Sequence, residues 1–267
     1  LANFDAKLKK IMFIDTHTHL YLEDFEEDRD AMVSRAVDAG VQRMYLPNVD
    51  VETISSLKAL WESYPEQMYP MMGLHPCSVT ANADADLERI IFELETGTYY
   101  AVGEIGLDFY WDKTWIQEQE RAFKRQTEWA IAHDLPIIIH SRDAMDRLLE
   151  ILEDYRGSGV RGVFHCFTGT LPQGMAAIDL GFKLGIGGVV TFKNSTLPQV
   201  LPELGLQHLV LETDAPYLAP VPYRGKRNES SYIPVIAHKL AEVLGLPLEE
   251  IERVTTKNAM ELFHVAN

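Results

Sequence analysis

The chain has 267 residues, 46% of them hydrophobic, only two cysteines and a formal net charge of −16. That is enough apolar matter for a sizeable core and too few cysteines for a disulfide framework, which excludes a disordered chain and a small disulfide-stapled scaffold. So acidic a surface repels polyanions at long range, so a non-specific nucleic-acid coat protein is excluded and any nucleic-acid reading must find a local basic patch.

No apolar run is long enough to span a bilayer, and no basic leader precedes an apolar core. The two cysteines, Cys77 and Cys166, suit a reducing cytoplasm, and nothing calls for a membrane or an obligate protein partner. Leu1–Ile11 reads as a polar N-terminal extension, and residues 12–267 as a single domain without an internal linker.

In chain order, short apolar or β-branched runs alternate with helical patterns. Phe13–Leu20 (FIDTHTHL) opens as a strand, and a helix follows across Phe25–Ala39, closed by Gly40. Val41–Leu46 is the second strand and Val51–Ser63 the second helix. Met68–Gly73 is the third strand, with a helix over Ala85–Leu94, and Tyr99–Glu104 the fourth, before a long helix over Gln117–His133. Leu135–His140 is an unbroken apolar strand buried on both faces, followed by a helix over Asp143–Tyr155. Gly162–His165, Phe182–Gly187 and His208–Asp214 are the last three strands, with helices over Pro172–Leu180 and Leu197–Leu204 between them. Helices over Ile233–Leu244 and Pro247–Phe263 finish the chain. Eight strands each followed by a helix predict a (β/α)8 TIM-type barrel with extra C-terminal helices. No dinucleotide or P-loop glycine motif follows a strand, and Gly185–Gly188 (GIGG) reads as a crowded barrel mouth that needs small residues.

In such a barrel all strand C-termini open on one face, so distant residues meet at one rim. His17 and His19, spaced i, i+2 on an extended strand, aim at one point. His75, Glu104, His140, His165, Glu212 and Asp214 fall at other strand ends. Each has a bland reading alone: a core histidine, an ion-pair partner, or a helix cap for Asp214. Burying four imidazoles and two carboxylates together is very costly unless they share a cation. One tetrahedral site needs only three protein ligands, so the expected centre is binuclear. One ion takes His17, His19, Glu104 and Asp214, and the other Glu104, His140 and His165. Mixed imidazole and carboxylate donors suit Zn, Mn, Fe, Co or Ni better than Mg.

Seven ordered blocks carry a resemblance: FIDTHTHL, GLHP (73–76), VGEIGLD (102–108), IIIHSRDA (137–144), FHCFTG (164–169), LETDAPYLAP (211–220) and PYRGKRNE (222–229). Together they resemble the TatD family of metal-dependent deoxyribonucleases, within the amidohydrolase-like barrels, over Met12–Phe263. The resemblance implies metal-ligand roles for His17, His19, Glu104, His140, His165 and Asp214, and a Mg-dependent nuclease activity that contrasts with the donor chemistry. Two residues depart from the family pattern. Ser230 stands where Pro often follows RGKRNE, which bears on that loop's rigidity. Cys77 stands where another histidine is frequent; it is either a spare ligand or, as its small apolar character favours, a passive thiol.

Arg224, Lys226 and Arg227, just after Asp214, supply the basic patch that the net charge requires, and Arg142 adds a donor beside His140. Tyr110, Trp111, Tyr217 and Tyr223 are nearby aromatics for stacking terminal bases. The chain therefore reads as a hydrolase with two divalent ions (Zn, Mn, Mg or similar) that cleaves phosphodiester bonds in DNA. The family resemblance implies trimming from a free end, with single-stranded or frayed DNA as substrate. Asp214 takes the nucleophile's proton, and His75, Arg142 and Arg224 hold the phosphate. The competing readings are another binuclear hydrolase of the same barrel, acting on an amide, lactone, phosphotriester or aminoacyl ester, and a non-catalytic metal or nucleic-acid binding protein.

Overall fold

The computed structural model describes residues Met12–His264, so the expected extension over Leu1–Ile11 lies outside the described residues. Eight parallel strands alternate with helices: β1 Phe13–Asp15, β2 Val41–Pro47, β3 Met68–Met71, β4 Val102–Asp108, β5 Ile137–Arg142, β6 Gly162–Phe164, β7 Phe182–Ile186 and β8 Leu209–Leu211. The helices that cover them are α1 Arg29–Asp38, α2 Ile54–Ser63, α3 Ala83–Thr96, α4 Ile116–Ala132, α5 Met145–Glu153, α6 Leu171–Asp179 and α7 Leu197–Leu204. The final pair is α8 Ile233–Leu244 and α9 Leu248–Leu262.

The strands form two parallel sheets, β1-β2-β3 and β4-β5-β6-β7-β8. Backbone bonds join the two sheets at both seams and close the ring. At one seam Met72 N donates to Ala101 O (3.1 Å) and Gly103 N to Met72 O (3.0 Å). At the other, Thr16 N donates to Leu211 O (3.0 Å), and Thr18 bridges Ala215. The barrel interior agrees: Ile14, Tyr45, Met71, Ile138, Val163 and Val210, each from a different strand, pack in one cluster. Alternate residues of the same strands face outward against the helices, as period-2 geometry requires. Leu262 and Phe263 at the end of α9 plug the floor of this layer, with Phe263 stacked on Tyr45 at 3.8 Å. The end of α9 therefore seals the bottom of the barrel and leaves chemistry to the top.

Several expected boundaries move, and those of β1 and β4 bear most on the site. β1 ends at Asp15 rather than running to Leu20, so His17 and His19 lie beyond the regular strand. Buried Asp15 turns the chain there: its carboxylate accepts from Thr213 N (2.9 Å), Thr213 Oγ1 (2.6 Å), Ser230 Oγ (2.7 Å) and His17 N (3.3 Å). β4 begins later than expected and runs on to Asp108, which places Glu104 inside the strand instead of at its end. Its backbone is held from β2's end, where Glu104 N donates to Asn48 O (3.0 Å) and Asn48 N to Gly103 O (3.1 Å). α1 starts only at Arg29, because a 3-10 turn over Glu23–Phe25 precedes it. Gly185 bears out the crowded mouth: a Cβ there would stand 2.0 Å from Glu212 Oε2.

Burial pushes the Asp15 carboxyl up to about 7, against the hydrogen bonds from Thr213, Ser230 and His17 that favour the anion. Removing that carboxylate would strand several buried donors, each costing ~1–3 kcal/mol. Asp15→Ala should therefore lower unfolding stability by at least ~3 kcal/mol, read as a shifted denaturation midpoint with an unchanged slope.

Candidate metal centre

Glu104 lies buried at the centre of the rim, and its two oxygens face different partners. Oε2 is 3.2 Å from His17 Nε2 and 3.5 Å from His19 Nε2. Asp214 Oδ1 joins that side, 3.7 Å from His17 Nε2 and 3.6 Å from His19 Nε2. Oε1 faces His165 Nε2 at 2.8 Å, His140 Nδ1 at 2.9 Å and His75 Nε2 at 3.3 Å. The six expected ligands thus meet, with His75 beside them. His17 and His165 stack face to face at 3.9 Å, which links the two sides of the carboxylate.

Neighbouring hydrogen bonds decide which ring nitrogens are bare. The Tyr21 hydroxyl donates its one proton to Pro47 O (2.6 Å), so it must accept from His19 Nδ1 at 3.0 Å. That leaves the Nε2 lone pair of a neutral His19 aimed at the Glu104–Asp214 side. Asp108, at the end of β4, takes His140 Nε2–H at 3.0 Å, which leaves the Nδ1 lone pair of a neutral His140 aimed at Glu104. His75 is opposite in kind: its Nδ1 accepts from Cys77 N at 3.0 Å, so a neutral ring carries its proton on Nε2. His75 is thus an N–H donor facing the site, which suits an anionic oxygen better than a cation.

Burial opposes charge throughout the cluster, and charged neighbours overcome it at Glu104, His19 and Asp214 but not at His75. Burial works to raise the Glu104 carboxyl, but His165, His75 and His17 around it hold it well below the usual carboxylate range. Burial likewise opposes charge on His19, yet Asp214 and Glu104 outweigh it and push the imidazole up to about 10. Burial keeps His75 below its usual value, hence neutral. Asp214 is held low despite its burial by the bond to His19 and by His165 and His17, and is a carboxylate at neutral pH.

These donors fit a divalent ion by an observation independent of any ion. Three groups among the described residues, His17–His19–Glu104, His17–His165–Asp214 and His75–Glu104–His140, bring one potential donor atom per residue within 4.8 Å of one another, although in the last of them His75 presents an N–H. Buried Nδ1 atoms of His17 and His165 have no hydrogen-bond partner. A packed group of imidazoles around two buried carboxylates is compensated by a cation that replaces ring protons.

Elements behind the rim hold the clustered histidines and acids in place. On α4 the buried Gln119 and Gln126, two turns apart on one face, reach the loops. Gln126 Oε1 accepts from Leu74 N (2.7 Å), fixing the chain before His75, and Gln119 Oε1 accepts from Asp108 N (3.0 Å). Buried Glu212 accepts from Cys166 N just behind His165. Asp214 takes a positive φ of 57°, and its N–H donates to His17 O (2.9 Å), tying the first and last strand ends together. Asp108, Tyr21 and Asn48 carried no role in the sequence reading. Only Asp108 had a visible signal, since 104, 106 and 108 share one face of a strand.

The expected basic patch divides. Arg227 is bound to Asp28 (2.7 Å) and lies over Phe25, so it anchors the loop to the start of α1. Asn228 Nδ2 ties the same loop to Thr213 O (2.7 Å) and Tyr217 O (2.6 Å). Ser230, the departure from the family pattern, is fully buried on Asp15, so its consequence is a hydrogen bond rather than a looser loop. Arg224 is exposed and stands over Phe192 at 4.3 Å, and Arg142 over Tyr110 at 3.9 Å. Cys77 is not among the clustered donors; burial and the Asp108 carboxylate push its thiol up to about 12, so it stays protonated. Tyr217, half exposed, sets its ring 6.3 Å from His19. Tyr223 instead stacks on Tyr232 at 4.2 Å. A cavity of about 540 Å³ opens beside His165, lined by Ser141, Asp143, Met145, Cys166 and Gln173.

Two outcomes are expected. Tyr21→Phe removes the acceptor for His19 Nδ1–H and should weaken divalent-metal binding by roughly 10- to 100-fold in titration calorimetry, with the circular dichroism unchanged. Because His19 holds its proton up to about 10, metal must displace it, so affinity rises with pH. Binding at pH 6 should be at least about tenfold weaker than at pH 8.

Comparison with known proteins agrees with this geometry. The chain matches the family described as TatD related DNase over residues 14–264. It is 37% identical over 255 residues to a metal-dependent hydrolase of Bacillus subtilis, YabD, covering 95% of this chain and all of the relative (100%). It is 35% identical to the 3'-5' ssDNA/RNA exonuclease TatD of Salmonella typhimurium, covering 94% of this chain and 98% of that one. The crystal structure of the TatD homologue YjjV from Escherichia coli superposes with a TM-score of 0.89 at 34% identity, over 95% of this chain and 98% of that one. A closed parallel barrel, a buried histidine–carboxylate cluster at its mouth and these relatives lead to one conclusion: the chain belongs to the TatD-related DNase family of metal-dependent hydrolases.

Proposed function

We propose that this protein is a phosphodiesterase that trims DNA from a free single-stranded or frayed end, using two divalent ions. The observation that carries the two-ion reading is the two-sided environment of Glu104, with imidazole nitrogens facing each carboxylate oxygen. His17, His19 and Asp214 with Oε2 would hold one ion, and His140 and His165 with Oε1 the other. Such ions supply Lewis acidity, lowering the pKa of water and neutralising charge that builds on phosphoryl oxygens. The nitrogen-rich donor set suits Zn or Mn better than Mg.

The remaining roles belong to the chain's own groups. Asp214 is ionised and its side chain is 14% exposed, so its carboxylate can take the proton of an attacking water. His75 stays neutral and offers Nε2–H to a phosphoryl oxygen. Arg142 and Arg224 stand on aromatic faces without a carboxylate within 4.0 Å among the described residues, which leaves their forks for phosphate. These two arginines, and the Salmonella relative named for single-stranded DNA and RNA, favour a phosphodiester over an uncharged ester or amide.

Metal analysis of the purified protein, then chelation and re-addition with end-labelled single-stranded DNA, tests this reading. Cleavage should vanish with chelator and return with metal. Intact metal sites with no cleavage of the oligonucleotide would point to a different substrate for the same centre. Asp214→Asn should reduce turnover by roughly 10²- to 10⁴-fold while the ion at His140 and His165 stays bound. Full activity in that variant would remove Asp214 as the base.

A further inference from the structure

We propose that Trp111, with Tyr110 and Arg142, forms a stacking subsite for an unpaired nucleobase next to the scissile phosphate; the proposal rests on the nuclease reading above. Trp111 is 68% exposed and Tyr110 52%, large apolar area left in water on the loop that leaves β4. The loop is built to display them. Tyr110 N and Trp111 N both donate to Asp108 Oδ1 (2.9 and 3.0 Å), and Phe109 N donates to Arg142 O (2.9 Å). The other oxygen of the same carboxylate, Oδ2, holds His140 Nε2 at 3.0 Å. One side chain therefore fixes both the aromatic pair and a nitrogen facing Glu104.

The faces of the pair are unequally used. Arg142 Cζ stands 3.9 Å from the Tyr110 ring centre, and Trp111 meets Tyr110 edge-on at 4.9 Å and 87°. Arg142 also stands over the Trp111 ring at 5.0 Å, so the guanidinium sits against both rings, and Trp111, the more exposed of the two at 68%, keeps indole surface open to water. An open aromatic face beside an arginine free to bind phosphate fits a base and its own phosphate together. A net charge of −16 leaves little attraction for polyanions elsewhere, so this local pairing sets which nucleic acid is held. A base inside a duplex already has both faces stacked, so only an unpaired base can use the indole. The subsite thereby selects strand ends and single strands.

The test compares wild type, Trp111→Ala and Trp111→Phe on an end-labelled single-stranded oligonucleotide and on its counterpart abasic at the terminal positions. Wild type should prefer the intact strand. Trp111→Ala should raise KM for that strand by about 5- to 150-fold, leave kcat and the abasic substrate unchanged, and so lose the preference, while Trp111→Phe keeps it. Equal loss of kcat on both substrates would mean that Trp111 only props the loop, and an undiminished preference in Trp111→Ala would mean that the base lies elsewhere; either overturns the proposal. Anisotropy of a labelled oligo(dT) and its abasic counterpart, with Ca²⁺ present, reads stacking without cleavage. A wild-type preference that Trp111→Ala abolishes there, without turnover, would refute the nuclease reading alone. No such preference would refute the stacking subsite.

Discussion

The structure depends on one buried carboxylate that is shared between two sets of imidazoles. Glu104 is 2% exposed, and a charge so placed is tolerated only when both oxygens are compensated. Its Oε2 meets nitrogens from the first strand end and its Oε1 meets nitrogens from the third, fifth and sixth. The barrel is the frame that makes this possible, since parallel strands bring residues more than a hundred positions apart to one rim. The floor layer around Tyr45 and Phe263 keeps the opposite end closed and apolar.

Around that centre a few buried side chains convert barrel geometry into ligand orientation. Asp15 ties the turn after β1 to Thr213 and Ser230, and so sets His17 against Asp214. Asn48 holds the backbone of Glu104, Tyr21 fixes the ring of His19, and Asp108 fixes that of His140. The fork Arg227–Asp28, with Asn228 on Thr213, holds the loop that presents Arg224. The histidines and acids at the mouth are thus positioned by hydrogen bonds from several strand ends, which is how a site on loops gains the rigidity of the sheet beneath it.

Much of this was legible in the chain because its periodicity is strong. α7 and α8 fall on the expected residues, and the eight-fold alternation is the barrel itself. That these histidines and acids gather at one rim was readable because imidazoles and acids at apolar strand ends have few other uses. What escaped was set by contacts between distant residues. β1 stops early because Asp15 gathers donors from 213 and 230, a pairing that no local pattern reports. The reach of β4 past Glu104 to Asp108 follows the alternation of 104, 106 and 108, but Gly103 and Gly106 carry no side chain to mark the strand as continuing. Arg227 looked like part of an open basic patch, and only the fold shows that Asp28 claims it while Arg142 and Arg224 have no carboxylate partner among the described residues.

The central claim is that Glu104 lies between two divalent ions. The most direct measurement is anomalous diffraction from a crystal of the protein equilibrated with Mn²⁺. The account predicts two peaks about 3.5–4 Å apart, one on the His17–His19–Asp214 side of Glu104 and one on the His140–His165 side. A single peak, or a pair that does not flank the Glu104 carboxylate, would contradict it.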